Sequence, residues 1–389
     1  MSKYTATAST HERSNMTSAL LLALELGEES WLLGFSVGGV GKVLRRKIVS
    51  RDTESLLREV ARAKEHFGLG GETVVRSCYE AGRDGLWLHR FLVSKGIENV
   101  VIDSASIEVN RRKKRAKTDR LDVLALVDLL WRYVVGSRKA PFAVVTVPEI
   151  EDEDLRHLGR ELKLLKKDRT RISNRMKGLL ANNGLVIRGR RRLAAQIRGL
   201  RMWNGEALPV QLESRLLRYA KDFDTHSERI VELEQERRVL LRSDERCSSH
   251  EKVLRLLELR SVGIETAWCY GMEFFGWRNF QNRKQVGSLA GLTPTPHGSG
   301  QLDVEHGIGK DGSRLVRGVA IEQAWAWLRF QPESALSQWF PSRFGGGSKR
   351  LRKIGIVALA WKLLIAFWRF VEFGEWPEGA VAKVRMRLT

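Results

Sequence analysis

The chain has 389 residues, 43% of them hydrophobic, which excludes a disordered tail and is long enough for two or three domains with cores of their own. Lysine and arginine number 67 against 46 acids, so the formal charge is +21 and the pI about 10.2. That balance calls for a polyanionic partner, nucleic acid before an acidic membrane surface, while Cys78, Cys247 and Cys269 are scattered without CxxC spacing and argue for a reducing cytoplasm against a thiolate zinc site.

Residues 1–16 read as a loose leader. The apolar run 18–26 is too short for a span and runs into Glu25, Glu28 and Glu29; residues 354–373 are interrupted by Lys362 and Arg369 and read as a buried or interfacial helix. The expectation is a soluble, cytoplasmic prokaryotic protein with no membrane segment.

Residues 17–150 alternate between strand and helix patterns. Residues 19–26 and 30–35 read as two strands around Gly27, 47–49 as a third, and 53–67 as an amphipathic helix on Leu56, Leu57, Val60 and Ala63. A strand at 72–76 runs into Tyr79-Glu80-Ala81-Gly82, a helix follows at 85–95, and 99–103 returns as a strand. The pattern predicts an α/β domain with three adjacent opening strands and later βα crossovers.

The densest cationic run, Arg111, Arg112, Lys113, Lys114, Arg115 and Lys117, ends at Asp119 and Asp122. A helix capped by Thr118 puts both acids on one face of its first turn. Glu25 falls inside the first strand and Glu80 at the carboxyl end of a later one, where open α/β sheets place their sites. Two divalent cations about 4 Å apart on four such carboxylates make a phosphodiester-cleaving centre. Taken singly, each acid also has a plain reading, as a strand-edge residue or as a complement to a helix macrodipole.

Residues 151–250 carry two heptad seams, Leu155, Leu158, Leu162, Leu165, Ile172, Met176 and Leu179, then Leu216, Tyr219, Phe223, Ile230, Leu233 and Leu240. Only Arg169 falls out of place. An antiparallel coiled coil is expected, joined through a connector rich in arginine (Arg188, Arg190, Arg191, Arg192, Arg198, Arg201) with Trp203 as a base-stacking platform. A solvated helix is the alternative.

Residues 251–375 open on a helix-hairpin-helix-like stretch at 257–267, in which Glu265 stands where a second glycine is usual. Gly298 and Gly300 leave Ser299 on an open backbone, with Lys310, Arg314 and Arg317 placed for phosphate; residues 376–389 read as a tail.

The order Glu25, Glu80, Lys117-Thr118-Asp119, Asp122, followed by His297-Gly298-Ser299-Gly300 and Gly309-Lys310-Asp311-Gly312, resembles the DEDD transposases of the insertion sequence 110 family, which include pilin-gene invertases. The resemblance implies a ribonuclease-H-like, RuvC-like N-terminal domain, a coiled coil supporting homo-oligomers (dimer or tetramer), and a mainly α-helical C-terminal transposase domain. It also implies DNA cutting and rejoining with Mg2+ or Mn2+ on Glu25, Glu80, Asp119 and Asp122. Ser299 would be the nucleophile of a covalent phosphoserine intermediate, and a structured guide RNA would accompany some members. The family usually has aspartate at the first position; here Glu25 is longer by about one methylene and must shift the cation or the strand. A RuvC-like endonuclease or site-specific invertase is the alternative enzyme, and a non-catalytic nucleic-acid-binding coiled-coil protein the alternative of another class.

Overall fold

The computed structural model describes residues 19–38, 43–107, 119–137, 140–243, 247–299, 302–309 and 312–383; for 119–120, 295–299 and 302–306 it describes the backbone only. The chain divides into two compact units, Met1–Val147 and Pro148–Thr389.

The first unit is built on a five-stranded sheet. Strands β1 (Leu20–Leu26), β2 (Ser30–Val37) and β3 (Leu44–Val49) form an antiparallel meander, and β4 (Val75–Glu80) and β5 (Glu98–Ile102) continue it parallel to β1, in the order β3-β2-β1-β4-β5. Leu20–Leu24 of β1 are an unbroken apolar run because both faces of the strand are covered there. Leu20, Leu22 and Leu24 pack against α1 (Thr53–His66) and α2 (Trp87–Ser94) through Leu56, Val60, Leu88 and Leu92; Leu21 and Ala23 pack against α3 (Asp119–Val134) through Val123, Leu126, Val127 and Leu130. The result is three layers, helices on both faces of a mixed sheet. The outer edge of β5 is partly closed by residues 143–145, where Val145 N donates to Val101 O and Asp103 N to Ala143 O.

The three adjacent opening strands and the later crossovers stand as the sequence pattern predicts. Two boundaries differ. β3 starts at Leu44, its first half disguised by Arg45 and Arg46, cations of the kind that edge strands carry. β4 begins at Val75 and runs through Glu80, which makes Glu80 the last residue of the strand.

In the second unit, α4 (Ile150–Asn182) and α6 (Val210–Arg242), 33 residues each, pack side by side and antiparallel: Leu162 and Leu165 meet Ile230, while Met176 and Leu180 lie with Phe223 and Leu216. The buried stripe differs from the expected seam at Leu180, Ala220 and Leu241, each one residue on from Leu179, Tyr219 and Leu240. Arg169 sets its guanidinium 5.9 Å from the Phe223 ring centre, which accounts for a cation in the stripe. The connector folds into a cap in which α5 (Leu193–Gly199) buries Leu193 and Ile197 with Leu185 and Leu208.

At the other end of the pair, Leu158 and Leu241 enter one core with α7 (Ser248–Glu258), α8 (Ile264–Tyr270), α9 (Arg283–Leu289), α10 (Arg314–Phe330), α11 (Ala335–Phe344) and α12 (Lys349–Phe373). Residues 151–250 thus share a core with 251–375. α12 is long and apolar enough to cross a bilayer, yet Leu359, Leu363, Leu364 and Phe367 are buried at the centre of this unit, as a core helix requires. The described part of the expected tail is tied down: Arg260 N donates to Val381 O, and Lys383 N to Glu258 O.

The segment leading to Ser299 is a strand: β6 (Pro294–Ser299) pairs antiparallel with β7 (Leu302–Ile308). Pro294, Pro296 and Gly298 are poor strand residues, which hid the hairpin from a propensity reading.

Candidate functional site

The N-terminal site follows from strand register. Leu24 pairs with Tyr79 in the parallel β1–β4 ladder, so the next residue on each strand, Glu25 and Glu80, falls at the same level. Alternation puts Glu25 on the face of Leu21 and Ala23, and Glu80 on the face of Cys78, the face that α3 covers. Both acids are half-buried and line one cavity of about 160 Å³ with Tyr79, Gly82, Arg83 and Asp84. The buried Cys78 thiol registers the arrangement: its pKa is pushed up by desolvation first and by the neighbouring Glu80 charge second.

Helix α3 points its N-terminus at the same rim. It sits low on the sheet because β2 has glycine at position 34; a Cβ there would lie 3.0 Å from Val123 Cγ2 and 3.1 Å from Val127 Cγ2. The nearest α3 atom to a Cβ on Gly38 belongs to Trp131, so the helix advances along β2 and against β1. Val123 therefore lies over the Ala23–Gly34 pair. Four residues back along the helix is about 6 Å, and two residues on along β1 is about 7 Å, which brings the start of α3, at Asp119, to the level of Glu25. Asp119 is four residues, about one turn, before Val123, and Asp122 is half-buried. Among the described residues no three His, Cys, Asp or Glu side chains gather into a metal-holding group, and the Asp119 side chain lies outside them.

The rim also carries cations that sequence reading missed. Arg83 Nη1 lies 2.9 Å from Glu28, and Arg51 Nη2 donates to Asp84 Oδ1 at 3.0 Å. Lys47 pairs across the sheet with Leu32, which pairs with Glu25. All three depend on loops and registers with no local sequence signal. The cationic run Arg111, Arg112, Lys113, Lys114, Arg115 and Lys117, like Thr118 and Lys310, lies outside the described residues.

In the second unit, Ser299 ends β6, opposite Leu302. Ser313 caps α10 by accepting from Val316 N, and the first turn of that helix presents Arg314, exposed, and Arg317, whose guanidinium reaches Ala290 O at 3.5 Å. Glu265, the acid in the α7–α8 turn region, is held by Arg237 and Lys166, each at 2.8 Å. Burial alone raises its pKa, but the hydrogen bonds from Arg237 and Lys166 outweigh that and lower it. The apparent obstacle to a helix-hairpin-helix reading is thus neutralised internally. Arg237 is itself buried in the α4–α6 stripe, which nothing in the heptad pattern announces.

On the α5 cap, Arg188, Arg190, Arg191, Arg192, Arg198 and Arg201 are all exposed, and Trp203 is 88% exposed beside them.

The chain is thus a mixed α/β unit with carboxylates at adjacent strand ends and a second, helical unit, with a net charge of +21; its relatives give its class. Residues 254–338 match the family model described as "Transposase IS116/IS110/IS902 family". The protein y4rJ of Sinorhizobium fredii, named as a transposase, is 38% identical over 94% of this chain and 95% of its own length. The transposase for insertion sequence element IS1111A of Coxiella burnetii is 24% identical over 82% of this chain and 80% of its own length, and that for IS1328 of Yersinia enterocolitica 24% identical over 66% and 72%. The chain is a transposase of an insertion sequence. It belongs to the IS110 family.

Proposed function

We propose that this transposase cuts and rejoins DNA with a DEDD carboxylate group and a serine nucleophile. The observation that carries the reading is the placement of Glu25 and Glu80 at one level on neighbouring parallel strands, with the start of α3, and so Asp119, brought to that level. The strand order β3-β2-β1-β4-β5, with helices on both faces, supports a ribonuclease-H-like, RuvC-like assignment. The α4–α6 pair is then the family's coiled coil.

Glu25, Glu80, Asp119 and Asp122 are hard oxygen donors of the type Mg2+ or Mn2+ takes, and they would hold it. When bound, the cation lowers the pKa of an attacking hydroxyl and stabilises negative charge on a leaving oxygen. Ser299 would supply the nucleophile: its Oγ bonds to the scissile phosphorus as the bond to the 3′-oxygen breaks, the proton lost from the hydroxyl being balanced by one gained by the freed 3′-oxygen, and the 5′-phosphoserine is resolved by the reverse transfer to a 3′-hydroxyl. Arg314 and Arg317, in the first turn of α10, bind phosphate. The arginines and Trp203 of the α5 cap suit a nucleic-acid backbone with an unstacked base, in DNA or in a structured guide RNA. Exposed Leu164, Val231 and Val239 on the outer faces of α4 and α6 suit a homo-oligomer contact.

With DNA of the element terminus and Mg2+, the protein is expected to form a covalent adduct that survives denaturation and is lost in Ser299→Ala and in Asp119→Ala. Cleavage persisting in Ser299→Ala would instead identify a water-using endonuclease.

A further inference from the structure

The carboxylate cavity has an electrostatic difficulty. Its wall carries Glu25, Glu80 and Asp84 against one guanidinium, Arg83, and a phosphodiester is itself an anion. Two arginines stand where they relieve it. Arg83 belongs to the wall, and Arg51 reaches the wall through Asp84.

Stability does not explain Arg83, and it explains Arg51 only as the partner of Asp84. The Arg83–Glu28 pair is 52% and 81% exposed, and pairs that exposed contribute at most about 1 kcal/mol. Arg51 sits at φ 64, a left-handed backbone that costs a non-glycine residue about 1–2 kcal/mol. The turn is fixed there because Ser50 N donates to Glu29 O and Ser50 Oγ to Glu28 O at 2.7 Å, which folds the β3–α1 connection against the β1–β2 turn. Asp84, with its side chain 3% exposed, holds one nitrogen of Arg51, whose side chain remains 55% exposed. A guanidinium has five N–H donors in a fixed fork, so a single tether aims it while leaving donors for phosphate.

We propose that Arg51 and Arg83 form the phosphate grip of the carboxylate cavity, Arg51 aimed by Asp84 and Arg83 standing in the wall, both binding the DNA backbone beside Glu25 and Glu80. The inference rests on the DEDD reading above and adds the residues that seat the strand.

The test is binding of a fluorescein-labelled duplex of the element terminus in Ca2+, followed by anisotropy across a salt series. Arg51→Gln and Arg83→Gln are each expected to weaken binding about 5–10-fold and to lower the slope of log affinity against log salt by about 1. The melting temperature of Arg83→Gln should stay as in the wild type, that of Arg51→Gln should fall because Asp84 loses its partner, and the calorimetric Mn2+ affinity should not fall in either. Glu28→Gln, which frees Arg83 and removes an anion, is expected to bind at least as tightly as the wild type. Unchanged affinity and slope in both arginine variants overturns the grip, as does a Glu28→Gln loss equal to that of Arg83→Gln, which marks the pair as structural. A wild-type protein that forms no serine adduct defeats the recombinase reading and leaves these slopes to be read independently.

Discussion

Glu25 and Glu80 stand side by side at the carboxyl ends of two parallel strands, one residue beyond the Leu24–Tyr79 pair, and open on one cavity. They are 55 residues apart in the chain, and the ladder alone makes them neighbours.

The first prediction concerns Glu25, the first acid of the proposed DEDD group. Glu25→Asp should keep Mn2+ binding and adduct formation within a few-fold. Glu25→Gln should lose more than about 100-fold, since even partners outside a metal's direct ligands typically matter by 10–100-fold. Calorimetric Mn2+ titration and adduct yield check it; a fully active Glu25→Gln would remove this residue from the site.

The seat of α3 can be tested without any substrate. A valine at Gly34 must displace Val123 and Val127, whose methyl groups lie only 3.0 and 3.1 Å from the point its Cβ would occupy. Overpacking of this kind costs about 1–3 kcal/mol. Urea denaturation of Gly34→Val should show that loss, and because α3 carries Asp119, Mn2+ affinity should fall with it.

The α5 cap is expected to govern salt-dependent binding of nucleic acid. Replacing Arg190, Arg191 and Arg192 together by alanine should lower the salt slope by about 2–3 if each meets a phosphate, by the rule of roughly 0.9 per contact. Trp203→Ala should weaken single-strand binding by about 1–3 kcal/mol with no change in slope, because stacking is not ionic.

Acid should loosen the second unit through Glu273, whose carboxylate takes Arg156 at 3.1 Å and Arg160 at 2.6 Å. Burial raises its pKa, but Arg160 and Arg156 more than compensate and hold it below the ordinary 4.5. A group depressed in the folded state contributes stability that is present above the unfolded value and lost as pH falls through the folded one. The melting temperature should therefore drop below about pH 4.5, and Glu273→Gln should lower stability at neutral pH while flattening that acid limb.

Much of this molecule was legible in the chain. The opening meander, the crossovers, both 33-residue helices and the apolar α12 follow from local periodicity, and periodicity is a property of consecutive residues. The same local logic failed where a residue's role is set by a distant partner. Pro296 and Gly298 argue against a strand, yet cross-strand pairing with residues 302–308 makes one that ends at Ser299. Arg237 has no place in the heptad pattern and is buried on Glu265.

The sequence by itself determined which acids, serine and arginines are present and in what order, and with them the family. Tertiary structure decided that Glu25 and Glu80 share a level, that Gly34 lets α3 bring its N-terminus over them, and that Arg51 and Arg83 stand at their rim. The physical reason is that strand register and helix seating are fixed by contacts across tens of residues: a one-residue slip of a strand turns its side chains to the opposite face, and a one-residue slip of a helix rotates them by about 100°.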